Sequence, residues 1–471
     1  MGVEHQQGTW TQLRLFEMQG GSVRHGAESD GGTEPQAREE GQAATASNRE
    51  RALTDNLMER VCERENLNRA YKRVKANKGA PGIDEMTVGE MAGWIKEHKE
   101  ELVKSLLEGS YRPQAVKGVA IPKPSGGTRQ LGIPTVVDRL VQQALLQVLD
   151  PLLDPMFSES SYGFRRGRSA HQALKRAAEN VAEGRGIVVD FDISKFFDRV
   201  NHDMLMARLA RHVQDKRLLR IVRRFLEAGM MRNGVCVRRH EGTPQGGPLS
   251  PLLANLILDD LDKELESRGH RFCRYADDCN IYVRTQRAGE RVMASVVRFL
   301  EERLRLKVNT EKSAVAYVEE RQFLGYRLLR DGRLGIAPRS VERAKQRIRA
   351  ITRRNRGIGL ERMIREVNVF TTGWVTYFRY AACKSVLQRL DEWLRRKLRC
   401  VRLKYCKRPK TITAFLISLG VPRPNARRLG GSGRGWWRKA GSPPAHHGMN
   451  LGWFGSQGLV SLSERYVALQ S

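Results

Sequence analysis

The chain reads as an α+β protein in which helices alternate with short strands around an antiparallel sheet, followed by an all-α region. Three observations predict this. β-Branched and aromatic runs with a period of two, Ile187 to Ile193 and Phe272 to Val283, lie between stretches of helical periodicity. The second run is interrupted by Asp277-Asp278, between Phe272–Ala276 and Cys279–Val283, the pattern of a hairpin with both acids at its tip. From Ser340 onward, long helical patterns follow one another without a strand signal.

Taken in order, residues 1–50 are rich in Gly, Gln, Glu, Ser and Ala and read as a disordered leader. Leu53, Leu57, Val61, Leu67 and Val74 share one helical face, and NKGAPGID (77–84) ends that helix. A second helix covers 88–107. VAIPKPSGGTRQLGIPT (119–135) forms a hairpin around Gly126-Gly127, with Lys123 and Arg129 near its arms. Two cations so placed can close over a triphosphate, and they equally protect an exposed edge strand. After a helix at 136–153 comes SYGFRRGRSAHQAL, where Arg165, Arg166 and Arg168 beside Tyr162 and Phe164 suit phosphate contact and base stacking, or simply a solvated loop. In the strand that follows, Asp190 and Asp192 point to one face. Helices at 205–213 and 216–228 lead to Gln245-Gly246-Gly247-Pro248, whose glycines let backbone approach a ligand before a helix from Ser250. Beyond the acidic hairpin lie a helix at 290–304 and the string FLGY (323–326). Helices then cover 341–351, 363–380 and 386–403, with Trp374, Tyr377, Phe378, Tyr380 and Trp393 among the arginines and lysines. The tail from Arg427, rich in Gly, Trp, Pro and His, reads as irregular.

Charge narrows the partners. Lys and Arg number 83 against 52 Asp and Glu, a formal net charge of +31 over 471 residues. Between Arg339 and Lys410 the balance is 22 to 5. Such an excess calls for a polyanion. No run of about 18 apolar residues and no secretory signal are present, which points to a cytoplasmic protein with no membrane partner. The seven cysteines lack zinc-ligand spacing and read as ordinary reduced thiols.

A two-cation hairpin, a strand acid, a PQGG loop and a YADD hairpin thus occur in one order. That order resembles the reverse transcriptases. The strings NKGAPGID, IPKPSGGTRQLGIPT, SYGFRRGRSAHQAL, FDISKFFDRVNHD, TPQGGPLSPLLANL, RYADD and FLGY resemble those of group II intron-encoded reverse transcriptase/maturases of bacterial type. The resemblance runs from Leu53 to the C-terminus.

It implies a right-hand polymerase: fingers and palm over 51–338, an α-helical thumb or maturase region over 339–425, and a short basic DNA-binding-like tail over 426–471. Asp192, Asp277 and Asp278 become the carboxylates of a site for two Mg²⁺ ions, one lowering the pKa of a primer 3′-hydroxyl and the other holding the triphosphate. Asp190 is left as a supporting residue. Lys123 and Arg129 take the triphosphate of a dNTP, and Gln245 borders it. Phe197 is set against the sugar, where its ring excludes a ribose 2′-hydroxyl. Arg165, Tyr275 and the primer-grip string Phe323, Leu324, Gly325 and Tyr326 are assigned to an RNA template with its DNA primer. The implied activity is RNA-directed DNA polymerisation, with binding of the intron RNA to promote splicing and mobility into a DNA target.

Two departures stand out. The chain ends at Ser471 without the His and paired Cys ligands of an endonuclease domain, and Glu85 stands where the family often has Gly. Alternatives of another class are a splicing factor whose polymerase is unused, and a domesticated reverse transcriptase serving host defence.

Overall fold

The computed structural model describes residues 56–122, 128–232, 235–237, 239, 241–243 and 246–470. The expected leader, Lys123 and Gln245 lie outside the described residues; of Arg129 the backbone alone is described. The fold class is α+β, as the sequence predicts. Contacts divide the chain between Ala316 and Tyr317, with Val181–Glu183 grouping with the second unit.

In the first unit the single helix expected from Leu53 is two, α1 (Leu57–Cys62) and α2 (Arg64–Asn77), because Glu63 between them is extended at φ −52°, ψ 134°. Helix α3 covers Met91–Leu107. Strands β1 (Val116–Pro122) and β2 (Thr128–Ile133) pair antiparallel, with Ile121 opposite Arg129. Helix α4 (Val136–Leu153) starts where Thr135 accepts a hydrogen bond from Asp138 N at 3.1 Å. Its apolar stripe of Leu140, Val141, Ala144, Leu145, Val148 and Leu149 is buried at the centre of the unit.

Helix α5 (Ala170–Ala182) precedes β3 (Ile187–Phe191), α6 (Phe196–Arg199), α7 (His202–Ala210) and α8 (Lys216–Glu227). Strands β4 (Met230–Arg232) and β5 (Val235–Val237) join the first hairpin in the order β2-β1-β4-β5, β1 running parallel to β4. Helix α9 (Ser250–Ser267) leads into β6 (Arg271–Tyr275) and β7 (Asp278–Val283), followed by α10 (Gln286–Arg298) and β8 (Ala314–Tyr317). These form the second sheet, β6-β7-β3-β8, in which β7 is antiparallel to both neighbours. Strands β3, β6 and β7 are buried along most of their length, whereas the edge strand β8 is only partly covered.

Glu85 has φ +58°, so the turn keeps the left-handed conformation that glycine would adopt more readily. Asp84 Oδ1 accepts from Met86 N at 3.3 Å across it, which helps hold a geometry costing about 1 kcal/mol.

The second unit begins with β9 (Tyr326–Leu328) paired to β10 (Leu334–Ile336), then continues all-helical through α11 (Pro338–Ile351), α12 (Leu360–Tyr377), α13 (Lys384–Tyr405) and α14 (Pro409–Ser418). Trp374 and Phe378 are core residues, whereas Tyr380 and Trp393 lie beneath Arg379 and Arg349 at ring distances of 4.9 and 5.6 Å.

The tail is not irregular. It forms five short helices, α15 (Arg423–Gly430), α16 (Trp436–Ala440), α17 (Pro443–Gly448), α18 (Leu451–Ser456) and α19 (Leu462–Ala468). Prolines sit in the first turn of two of them, where no N–H is lost, and Asn450 and Ser461 cap two more. Buried Asp391 fastens the last helix: it accepts from Leu462 N at 2.8 Å, Ser463 N at 2.9 Å and both serine hydroxyls, of Ser461 and Ser463. Asp391→Ala is therefore expected to destabilise this unit by about 2 kcal/mol, measured by chemical unfolding, and to make the 462–468 helix a preferred site of proteolysis.

Among the described residues no helix is long and apolar enough to cross a membrane.

Candidate active site

Sheet register brings the three predicted carboxylates to one end of adjacent strands. Strand β3 pairs with β7 up to Phe191 opposite Cys279, so the next position of each strand sets Asp192 against Asp278. Strands β6 and β7 close on Tyr275 opposite Asp278, leaving Ala276 and Asp277 as a two-residue turn. Ala276 is buried at φ +60°. Gly163 makes room for it, since a Cβ on Gly163 would stand 2.2 Å from Ala276 N. Phe164, 40% exposed, lies beside Tyr275 with ring centroids 6.4 Å apart, an aromatic pair at the mouth of the turn.

Asp192 is fixed from behind. Its N–H donates to Ser313 Oγ at 3.0 Å and its carbonyl accepts from Asn309 N at 2.7 Å. The carboxylate itself is 42% exposed, with Lys312 Nζ 3.4 Å from Oδ2. Asp190, two residues back, lies across from Asn280, whose side-chain amide, oriented with its nitrogen toward Asp190, donates to Oδ1 at 3.3 Å.

The donor set at this end is entirely carboxylate oxygen, the chemistry a hard divalent cation prefers, and like charges so close favour binding one. Among the described residues no group of three or more His, Cys, Asp or Glu side chains stands ready to hold a metal ion, so the fit rests on donor type and register. Thiolate chemistry is disfavoured here. Burial pushes the Cys273 and Cys279 thiols, one on each side of the turn, well above their ordinary range.

Phe197 is half-buried, stacked edge-on to core Phe196 at 5.1 Å. Lys195, in a left-handed conformation at φ +50°, starts the short helix that presents it. The carbonyl of Phe197 accepts from Thr243 N at 2.7 Å, and Gly242 packs there with no space for a side chain, a Cβ falling 2.8 Å from Phe197 O. His202 Nε2 lies 2.7 Å from Gly242 O, and burial lowers the pKa of this imidazole. The glycines of the PQGG string are equally constrained: a Cβ on Gly246 would meet Gly132 O of β2 at 2.4 Å, and one on Gly247 would meet the Gln142 side chain of α4. The segment entering the PQGG loop is thus joined to Phe197, and the loop's glycines to the base of the β1–β2 hairpin.

Three residues assigned to nucleic acid turn inward. Arg165 is 6% exposed; it pairs with Asp154 at 2.7 Å and donates to the carbonyls of Ser158 and Ser161. A guanidinium so occupied has no free fork for a phosphate, and the exposed arginine of that loop is Arg166. Phe323 and Tyr326 are fully buried in the second unit, Tyr326 against Tyr377 and Phe378. The residues this hairpin presents are Leu324 and Gly325, at φ +52° and +81° in the manner of a type I′ turn.

A family model described as "Reverse transcriptase (RNA-dependent DNA polymerase)" matches residues 121–328, and one described as "Group II intron, maturase-specific domain" matches 341–415. Protein YkfC of Escherichia coli is 31% identical over 315 residues, covering 58% of this chain and 83% of that protein. The chain belongs to the group II intron reverse transcriptase/maturase family. Its enzyme class is RNA-directed DNA polymerase. The group II intron-encoded protein LtrA of Lactococcus lactis is 38% identical over 197 residues, 41% of this chain and 32% of that protein. An uncharacterized 91 kDa protein in the cob intron of Schizosaccharomyces pombe is 34% identical over 207 residues, 43% and 25% respectively. This reverse transcriptase thus spans most of YkfC but about a third of LtrA and a quarter of the yeast protein.

Reasoning from the sequence missed the residues that hold the reverse transcriptase's carboxylates: Ser313 and Lys312 behind Asp192, and Gly163 beneath the turn. Gly163 stands in a quoted string, between Tyr162 and Phe164, and its lack of a side chain there was the available signal.

Proposed function

We propose that the chain extends a primer 3′-hydroxyl with dNTPs on an RNA template, and that it also binds its intron RNA to promote splicing and movement of the intron into a DNA target. One observation carries the polymerase reading: the β3–β7 register that sets Asp192 across from Asp278, beside Asp277 at the turn. Asp192, Asp277 and Asp278 would hold two Mg²⁺, which supply an acidified primer hydroxyl and charge neutralisation at the triphosphate.

The protein's own part is positioning. The β1–β2 hairpin carries Lys123 and Arg129 to the triphosphate, with Gln245 of the PQGG loop beside the incoming base. Phe197 limits the space beneath the sugar, and its backbone tie to Thr243 supports that limit. Tyr275 with Phe164 offers a stacking face to the template–primer, and the half-buried Leu324–Gly325 turn a contact surface. Basic helices of the second unit, such as α13, supply phosphate contacts whose strength depends on salt. The protein works in the cytoplasm, associated with nucleic acid.

Purified chain supplied with an RNA template, an annealed DNA primer, dNTPs and Mg²⁺ is expected to extend the primer and to lose that activity on chelation. Its own intron transcript should splice faster at moderate salt when the chain is added. Absence of extension over a range of Mg²⁺ concentrations would rule out the polymerase reading, and the splicing assay decides the maturase reading separately.

A further inference from the structure

Beneath the acidic turn lies a buried polar network that the polymerase reading does not use. Arg274 and Asp262 are both fully buried and make a two-point pair, Nε to Oδ1 at 2.7 Å and Nη2 to Oδ2 at 2.5 Å. The remaining guanidinium nitrogen, Nη1, donates to Asn255 Oδ1 at 2.9 Å and to the carbonyl of Ala276 at 3.0 Å. Asn255 Nδ2 in turn donates to Gly163 O at 2.8 Å, and Gly163 is the residue pressed against the backbone of Ala276. Asn255 and Asp262 lie seven residues apart on α9, two turns along one face of a helix that is otherwise mostly apolar. The backbone of Arg274 is held as well, its N–H donating to Ser160 O at 2.9 Å and its carbonyl accepting from Tyr162 N at 2.9 Å.

Stability alone does not explain such an arrangement. Removing two charges from water costs more than their attraction commonly returns, and well-packed apolar residues often serve a core equally well. What apolar residues cannot do is hold a turn carbonyl. Ala276 adopts a left-handed conformation that an L-residue resists, and its carbonyl points inward to the guanidinium instead of outward to water. The next two residues are the paired acids.

We propose that Arg274 is a positioning residue: tied to α9 through Asp262 and Asn255, it clamps the Ala276–Asp277 turn from below and thereby fixes where the Asp277 and Asp278 carboxylates stand. The catalytic part of this inference rests on the polymerase reading; the clamping of the turn does not. Arg274 acts through the turn and touches neither nucleotide nor metal. Gly163 completes the clamp from the side, since any larger residue would push Ala276 off the guanidinium.

The test is the double variant Arg274→Met with Asp262→Leu, which removes both charges and leaves neither orphaned. Far-ultraviolet circular dichroism, thermal midpoint and affinity for a template–primer should stay near those of the unaltered chain. Hydrogen exchange at the amides of Ala276, Asp277 and Asp278, measured without metal, should quicken about tenfold while α9 keeps its protection. The kcat for extension should fall about tenfold or more, with the Mg²⁺ concentration for half-maximal rate raised and KM for template–primer unchanged. Should the double variant not fold, Arg274→Lys keeps the charge pair but lacks the fork, and is expected to show the same two changes. A folded variant with unaltered turn exchange and unaltered kcat overturns the proposal, and so does a lowered thermal midpoint without faster exchange at the turn. If the unaltered chain extends no primer, the polymerase reading fails, while the exchange measurement still decides the clamp.

Discussion

Asp277→Asn leaves the turn its shape and removes one carboxylate charge, and RNA-templated primer extension should fall by at least about 1,000-fold, near 4 kcal/mol of transition-state stabilisation. The side chain is isosteric and lies in the turn between two paired strands, so the register of β6 and β7 gives no reason for misfolding. Template–primer affinity should change little, because the phosphate contacts lie elsewhere in a chain of net charge +31. Measurement is by single-turnover extension at saturating dNTP and Mg²⁺, with template–primer binding followed in parallel. A variant that extends at a tenth of the normal rate would remove Asp277 from the catalytic set. Retained stimulation of splicing by the same variant would show that the two activities are separable.

Phe197→Val should open the site to ribonucleotides. The ring is half-buried and packs edge-on against Phe196, and the Thr243 N–H bond to the Phe197 carbonyl fixes the backbone that carries it. Valine removes the outer part of that ring while keeping an apolar contact with the core. Discrimination between dNTP and NTP, taken as the ratio of kcat/KM values, is expected to drop by about 100-fold, mainly through faster use of the ribonucleotide. Unchanged discrimination would place the selection against ribose in another residue.

Much of this was legible before any coordinates. The helix 136–153 was bounded to the residue, because Thr135 is a good cap and the apolar stripe behind it is unbroken. The hairpin is a local pattern, although its turn falls at Ala276-Asp277 and not at the two acids, because Asp278 pairs with Tyr275; Asp192 is chosen over Asp190, on the same strand face, by the resemblance alone. What was not legible depended on partners distant in sequence. Arg165 looks like a phosphate ligand in its own loop, and only Asp154 and the carbonyls around it turn it inward. Phe323 and Tyr326 look like contact residues until the core aromatics of α12 are set beside them. The tail reads as irregular from its Gly, Trp, Pro and His content, although proline in a first helical turn begins a helix. Arg274 carried its own clue, a cation within a strand whose neighbours on both faces, Phe272, Cys273 and Cys279, are all apolar.

The burial of Cys273 and Cys279 beside the acidic turn also decides how the molecule can be instrumented. Burial covers both thiols and raises them well above their ordinary range, while Cys236 on β5 is exposed. A maleimide dye offered to the native chain therefore meets Cys236 as its most exposed thiol, Cys62 being only partly covered, and Cys236 lies on the same sheet as the β1–β2 hairpin. The polymerase comes with its own attachment point on the sheet of that hairpin.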